Sequence, residues 1–324
     1  MKGGHNVGRY IGKRLLLMIP ILLGISLIVL VLIDITPGDP ARIIAGSTAT
    51  EEEYEQIRED LGLNDPLIVR YTRFIANSLR GDLGKSFITK RAVWPDMMAR
   101  FPYTLLLAVL STVLSIIIGI PLGVYAATNQ YSWKDNLAII ASLFCVSMPA
   151  FWFALLLIQF FAVKHRILPM AGIEQWQGWI LPVVSLALGY ASVIARQMRS
   201  NMLEVIRQDY IITARAKGLS EHKVLYRHAL KNALIPVIMT VGSMFGMSLG
   251  GALISEVIFS IPGLGNYTLT GLVNRDYPVI QGSVLFLSAL FSIVILLIDI
   301  VFAFIDPRIR SQYVRAKRRV REGT

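Results

Sequence analysis

Six long apolar stretches dominate the chain, at residues 15–33, 103–127, 136–163, 175–195, 233–255 and 279–305. Each has about the 20 residues that a helix needs to cross a hydrocarbon core. A bilayer offers no water to unsatisfied backbone groups, so helices are the predicted form. Prolines at 20, 121, 149, 182 and 236 fall within or at the ends of these runs, where neighbouring helices can satisfy the freed carbonyls. The first run follows a basic N-terminus, as a signal peptide would. It is long enough to span, however, and "ITPGDP" after it lacks a small-x-small cleavage site, so it reads as an uncleaved anchor. The short polar turn "TNQYSWKD" joins the second and third runs. Between the first two lies "STATEEEYEQIREDLGLNDPLIVRYTRFIANSL", with Ser/Thr caps and a Glu-rich first turn. That pattern predicts two or three short helices within 34–102. The fold class is an all-α membrane protein with six transmembrane helices and a small helical segment between the first and second.

Composition agrees: the 324 residues are 54% hydrophobic and 16% charged, with mean hydropathy +0.58. A soluble domain carries roughly a quarter charged residues. The net charge of +11 raises the question of nucleic acid, and its distribution answers it. Residues 1–14 hold four basic side chains and no acid, 196–232 hold eight basic and three acidic, and the tail 306–324 holds seven and two. Segment 34–102 has no such excess, with nine basic and eleven acidic residues, and 256–278 has one basic and two acidic. With six spans the basic segments share one side, which the positive-inside rule places in the cytoplasm with both termini. Segment 34–102 is then extracytoplasmic, and the charge gives no reason to invoke nucleic acid.

Other features exclude chemistry or leave alternatives open. The one cysteine, Cys145, allows no intrachain disulfide, and the four histidines show no metal-ligand spacing. "RGDLGKSF" resembles the end of a phosphate-binding loop, but Leu79 stands where the first glycine belongs. Gly242, Gly246 and Gly250, and likewise Gly119 and Gly123, recur at four-residue spacing, which permits close helix packing within the chain or against a second subunit. Asp299 is the one acid well inside an apolar run and so a functional candidate. Arg308 and Arg310 are within plausible reach, which favours a structural pair. No convincing internal repeat accompanies it, so a proton- or ion-coupled secondary transporter is the weaker reading.

The polar stretch "DYIITARAKGLSEHKVLYRHALKN" stands between the fourth and fifth runs. Residues 202–217 read as one helix ended by Gly218 in the left-handed conformation. Ser220 is placed to cap a second helix, with Leu219 and Val224 spaced as a hydrophobic staple. By residues alone, this is either a membrane-surface hairpin or a docking surface.

Here the sequence closely resembles the EAA loop of ABC-importer permeases, through Ala214, Ala216, Gly218, His228, Asn232 and Pro236. Asp209 stands where that loop often has glutamate. "TPGDPAR", "GDLGKSF", "ARQMRSNMLEVIRQDYI", "SEVIFSIPGLGNY", "RDYPVIQG" and "IDPRIR" extend the resemblance over nearly the whole chain, to the B-type subunit of the peptide (dipeptide, oligopeptide, nickel) branch. The resemblance implies the type I importer fold, with spans from 103 to 305 as the permease core and 196–232 as its coupling loop. It implies a chain with no catalytic residues, no metal and no cofactor of its own, ATP and magnesium being held by two partner ATP-binding subunits. A second homologous permease subunit and an extracytoplasmic solute-binding protein complete the implied set, in a bacterial or archaeal cytoplasmic membrane. The ATPase contact is expected at Ala214–Ser220, with Ala214 and Ala216 allowing close approach and Gly218 the sharp turn. Arg215 and Lys217 either pair with the partner's acids or stay solvated. Outside, Pro262, Gly263 and Gly265 favour a turn or re-entrant loop, a gate or receptor contact or a plain connection, and Glu256 is expected to be interfacial.

Overall fold

The computed structural model of the chain describes residues 4–46 and 49–305. In chain order the helices are α1 (Gly4–Ile35), α2 (Pro40–Ala45), α3 (Glu51–Asp60), α4 (Leu67–Ser78) and α5 (Val93–Thr128). Then come α6 (Trp133–Ser147), α7 (Ala150–Leu157), α8 (Ile180–Ile206), α9 (Asp209–Ala216) and α10 (Glu221–Lys223). The last four are α11 (Leu230–Gly251), α12 (Leu253–Ile258), α13 (Leu264–Val273) and α14 (Tyr277–Ile305). π-Helical turns at Ile158–Lys164 and Val224–Ala229 prolong α7 and join α10 to α11. Among the described residues five helices are long and apolar enough to cross a membrane, and a bent pair makes a sixth if it is one span.

The apolar run at 136–163 is bent. Trp133–Ser147 and Ala150–Lys164 meet at 100°. Met148 is extended (φ −77°, ψ 130°) because the ring of Pro149 disfavours helical backbone in the residue before it. Hydropathy sees only continuous greasiness, so the run concealed the corner. α5 also begins ten residues before the apolar run at 103, because its first turns carry Asp96, paired with Arg91 at 3.0 Å, and are too polar to register.

The chain divides into two compact units. The first holds, among the described residues, 4–46, 49–107, 171–173 and 249–292. Its short helices start on local polar signals. Asp39 caps α2 by accepting from the Ala41 N–H at 2.8 Å, and Thr50 and Glu53 form a reciprocal capping box on α3. Asp39 also accepts from the Tyr54 hydroxyl at 2.6 Å, tying α2 to α3. α4 is fastened to α1 by the Tyr71 hydroxyl on the Leu23 carbonyl (2.8 Å) and by Arg70 on Asp34 (2.5 Å). Leu83, Val93, Met97, Leu264, Tyr267 and Val279 form one buried cluster of this unit.

The second unit holds 108–170, 174–248 and 293–305 of the described residues. Its core brings together Val124 and Ala127 of α5, Ile194, Met198 and Met202 of α8, Ile211 and Ala214 of α9, Val224, and Ala229, Ala233 and Val237 beyond it. In lipid, helices are not driven together by hydrophobicity, so close contact must hold them. Gly119 and Gly123 supply it. An added Cβ would lie 2.7 Å from the Ala191 carbonyl oxygen at the first and 2.5 Å from that of Ala195 at the second. Gly242 similarly admits Ile298, whereas a Cβ at Gly250 would meet nothing within 4 Å. The stripes at 119–123 and 242 therefore serve packing inside the chain.

Because backbone cannot retreat, Gly123→Leu is expected to destabilise the purified protein by about 1–3 kcal/mol. Thermal unfolding in detergent measures this. Gly189→Ala on α8, with nothing within 4 Å of the added Cβ, is expected not to lower the midpoint and to raise it slightly through helix propensity.

Candidate functional site

The polar stretch is built in pieces. α8 stops at Ile206 and α9 starts at Asp209, with Gln208 extended between them (φ −75°, ψ 147°). The single helix expected over 202–217 is thus broken, although no glycine or proline marks the place. The turn lets Ile211 and Ala214 enter the core beneath α8, and Asp209 falls in the first turn of α9, where a negative charge is favourable. Gly218 does end the helix in the left-handed region, φ +76°. Ser220 has the extended backbone of a cap, but its hydroxyl makes no capping bond. Leu219 is exposed while Val224 is fully buried, so the expected staple does not define this turn.

What spans the turn is an ion pair. Arg215 donates to Glu221 through Nη2 at 2.6 Å and Nε at 3.1 Å, both bonds reaching across Gly218. In the chain by itself the Arg215 fork is engaged by Glu221 while remaining exposed. Both side chains are exposed, so the pair contributes at most about 1 kcal/mol and acts chiefly on geometry. Tyr210 accepts from Asn232 at 2.7 Å, tying α9 to the start of α11. His222 stacks on Tyr226 at 4.6 Å. The segment therefore has two faces. Ile211, Ala214 and Val224 point inward, and Ala216, Lys217, Gly218, Leu219 and Ser220 are exposed with Ile212 and Tyr226 beside them. Ala214 approaches its own core closely, and Ala216 is the alanine left on the surface.

The loop "SIPGLGN" in the first unit is organised by Glu256, which is fully buried rather than interfacial. Its Oε1 accepts from the Thr104 hydroxyl at 2.6 Å and its Oε2 from the Asn266 N–H at 2.9 Å. Thr104 in turn accepts from the Leu264 N–H at 2.8 Å. The carboxylate sits at the N-terminus of α13, where free N–H groups and the helix dipole favour it. Gly263 is required because a Cβ there would run into this carboxyl group, and Gly265 because a Cβ there would lie 2.6 Å from the Leu253 Cα and 2.9 Å from Glu256 Oε2. Burial pushes the Glu256 carboxyl up, and bonds from Thr104, Asn266 and Gly265 pull against that shift. Pro262 immediately precedes these glycines and is half-buried. The sequence signal for this burial was the pair of glycines seven and nine residues after the acid.

A second buried acid, Asp276, was not anticipated. It accepts from the Ser86 hydroxyl, the Phe87 N–H at 2.9 Å and the Ile88 N–H at 3.5 Å. The Ser86 hydroxyl and the Phe87 N–H of "GKSF" are thus engaged by the chain's own carboxylate. "RDYP", with an acid just before a helix, was the only hint. Asp299 is half-buried on α14, and Arg308 and Arg310 lie outside the described residues.

These features coincide with a known family. Residues 119–311 match the family described as the inner-membrane component of binding-protein-dependent transport systems, and residues 7–108 match its N-terminal component. The chain belongs to that family: it is a multi-pass inner-membrane permease subunit of an ABC importer, and ATP hydrolysis lies in separate subunits. Among relatives, the glutathione transport system permease protein GsiC of Escherichia coli O6:H1 (strain CFT073) is 41% identical over 301 residues, 93% of this chain and 98% of that protein. GsiC of Salmonella paratyphi A is likewise 41% identical over 301 residues with the same coverage. In fold, the chain is similar to a chain of the inward-facing MetNI methionine ABC transporter, with a TM-score of 0.55 at 19% identity, covering 65% of this chain and 96% of that one.

Glu256→Gln is expected to destabilise the protein, because the amide turns an N–H toward existing donors and leaves one of them unmet. About 1–3 kcal/mol is expected for such a buried group. Thermal unfolding gives the magnitude, and faster amide exchange at 264–266 gives the location.

Proposed function

We propose that this chain imports peptide-type solutes, among them glutathione and di- or oligopeptides, and that Ala216–Ser220 is where an ATPase subunit takes hold. The observation that carries the docking reading is the two-faced build of the segment. Its inner face is locked into a close-packed core while its outer face, around the Gly218 turn, is bare. An element anchored on one side moves as a rigid body when pushed on the other. The peptide class is supported by the GsiC relatives, whose 41% identity extends over 93% of the chain.

In this reading the termini and the 207–220 segment face the cytoplasm, as the basic flanks require. Two ATP-binding subunits, with their ATP and magnesium, sit beneath. A homologous but non-identical permease subunit completes the pathway, and a solute-binding protein delivers from outside. The Glu256 loop is then part of the extracytoplasmic end, as a gate or receptor contact.

The test is uptake by proteoliposomes of the purified complex, with glutathione and a dipeptide as probes. Uptake is expected to need ATP. Uptake that persists without ATP and collapses with a proton uncoupler would instead mark a secondary transporter. Ala216→Trp and Leu219→Asp are each expected to lower ATP-driven uptake about tenfold, equivalent to roughly 1.4 kcal/mol of docking. Membrane insertion of this chain should be unchanged. Wild-type uptake by both variants would remove the docking assignment.

A further inference from the structure

The second unit holds an ion pair unlike the exposed one at the turn. Asp135, at the start of α6, is almost wholly removed from solvent, and Arg199 of α8 grips both its oxygens, Nε to Oδ1 at 2.6 Å and Nη2 to Oδ2 at 2.7 Å. The same carboxylate accepts from the Tyr131 N–H at 3.0 Å, and the Asp135 N–H donates to the Ser132 hydroxyl at 3.3 Å. The pair therefore fixes α8 to the whole α5–α6 turn. Two-point contact of this kind is short and directional, and it resists sliding as well as separation.

Its place on α8 matters. Met198 and Met202, on either side of Arg199 in sequence, are fully buried in the core that receives Ile211, Ala214 and Val224. Asn201 donates to the Ala233 carbonyl at 3.2 Å, holding α11 to the same stretch of helix. One turn of α8 thus has the coupling segment packed on one side and Asp135 bound on another. Close-packed side chains do not absorb a displacement; they pass it on or repack.

We propose that Asp135 and Arg199 are positioning residues for transport: the pair transmits movement of the 209–220 segment through α8 to α6. This rests on the reading of that segment as the ATPase contact. The direction of the step is from partner to α9, to α8 through Met198 and Met202, and to α6 through the ion pair.

Cys145, the only cysteine of the chain, lies on α6 and gives a probe on the far side of the pair. A spin label there, in the assembled complex with cysteine-free partner subunits, reads α6. A second label at Lys223→Cys, with Cys145 replaced by serine, reads the segment itself. In the wild-type pair both spectra are expected to change on adding ATP. In Asp135→Asn and in Arg199→Lys, which keeps the charge but loses the fork, the Lys223→Cys change is expected to persist while the Cys145 change falls about tenfold. The double exchange Asp135→Arg with Arg199→Asp is expected to restore it, which a loss of overall stability would not do. If wild type shows the change at position 223 but none at Cys145, or if both single variants keep the full Cys145 change, the relay is wrong and the coupling segment stands. If neither label responds in wild type, the coupling reading itself fails and the relay with it.

Discussion

A carboxylate removed from water must be met by donors, and three such acids hold this protein together at the ends of its helices. Asp135 meets Arg199 and a backbone N–H, Glu256 meets Thr104 and the first turn of α13, and Asp276 meets the loop at 86–88. Each of these joins segments far apart in sequence. Desolvating a charge is costly, and removing one partner of a buried pair typically costs about 3–5 kcal/mol. Such contacts are therefore poor sources of net stability but strict specifiers of position. The requirement is sharper here than in a soluble protein, since lipid tails are as apolar as leucine and do not select one helix packing over another. Glycines at 119 and 123 set how near α5 and α8 approach, and buried acids set which residues face each other.

The membrane part of the fold was legible because it rests on a single long-range quantity, apolar length. Five of the six runs correspond to helices that qualify as spans, and the sixth to the bent pair. The glycine break at 218 was also legible, since a left-handed residue after a helix asks for glycine. Less visible were breaks made by packing. Nothing in "VIRQDY" signals an interruption; the chain turns at Gln208 because doing so puts Ile211 and Ala214 into the core. The corner at Met148 had Pro149 as its signal, but proline also occurs inside spans that stay continuous, as Pro20 in α1 shows.

The candidate sites divide along the same line. Of the contact expected at Ala214–Ser220, the exposure of 215–220 and the glycine turn were readable, whereas the burial of Ala214 in the chain's own core was not. The environments of Arg215 and Glu256 were not. Arg215 finds Glu221 only because the turn at Gly218 reverses the chain, and Glu256 is buried only because two glycines leave room for its carboxyl group. In both cases the fold supplies a partner close in sequence, so a local signal existed, but its meaning depended on the backbone path. Asp276 is the extreme case, with partners 188 to 190 residues away.

The contrast between the two arginine pairs bears on how an importer subunit divides labour. Arg215 and Glu221 are exposed and shape a turn, and a pair in that setting is weak and adjustable. Arg199 and Asp135 differ: there the carboxylate is buried and held at both oxygens. Met198 and Met202 of α8 pack in one apolar cluster with Ile211, Ala214 and Val224, side chains without polar preferences of their own. An apolar core transmits displacement but not orientation, because its contacts are non-directional. Orientation has to come from the polar contacts at its edges, which is where the chain places Asn201 on the Ala233 carbonyl and Arg199 on Asp135.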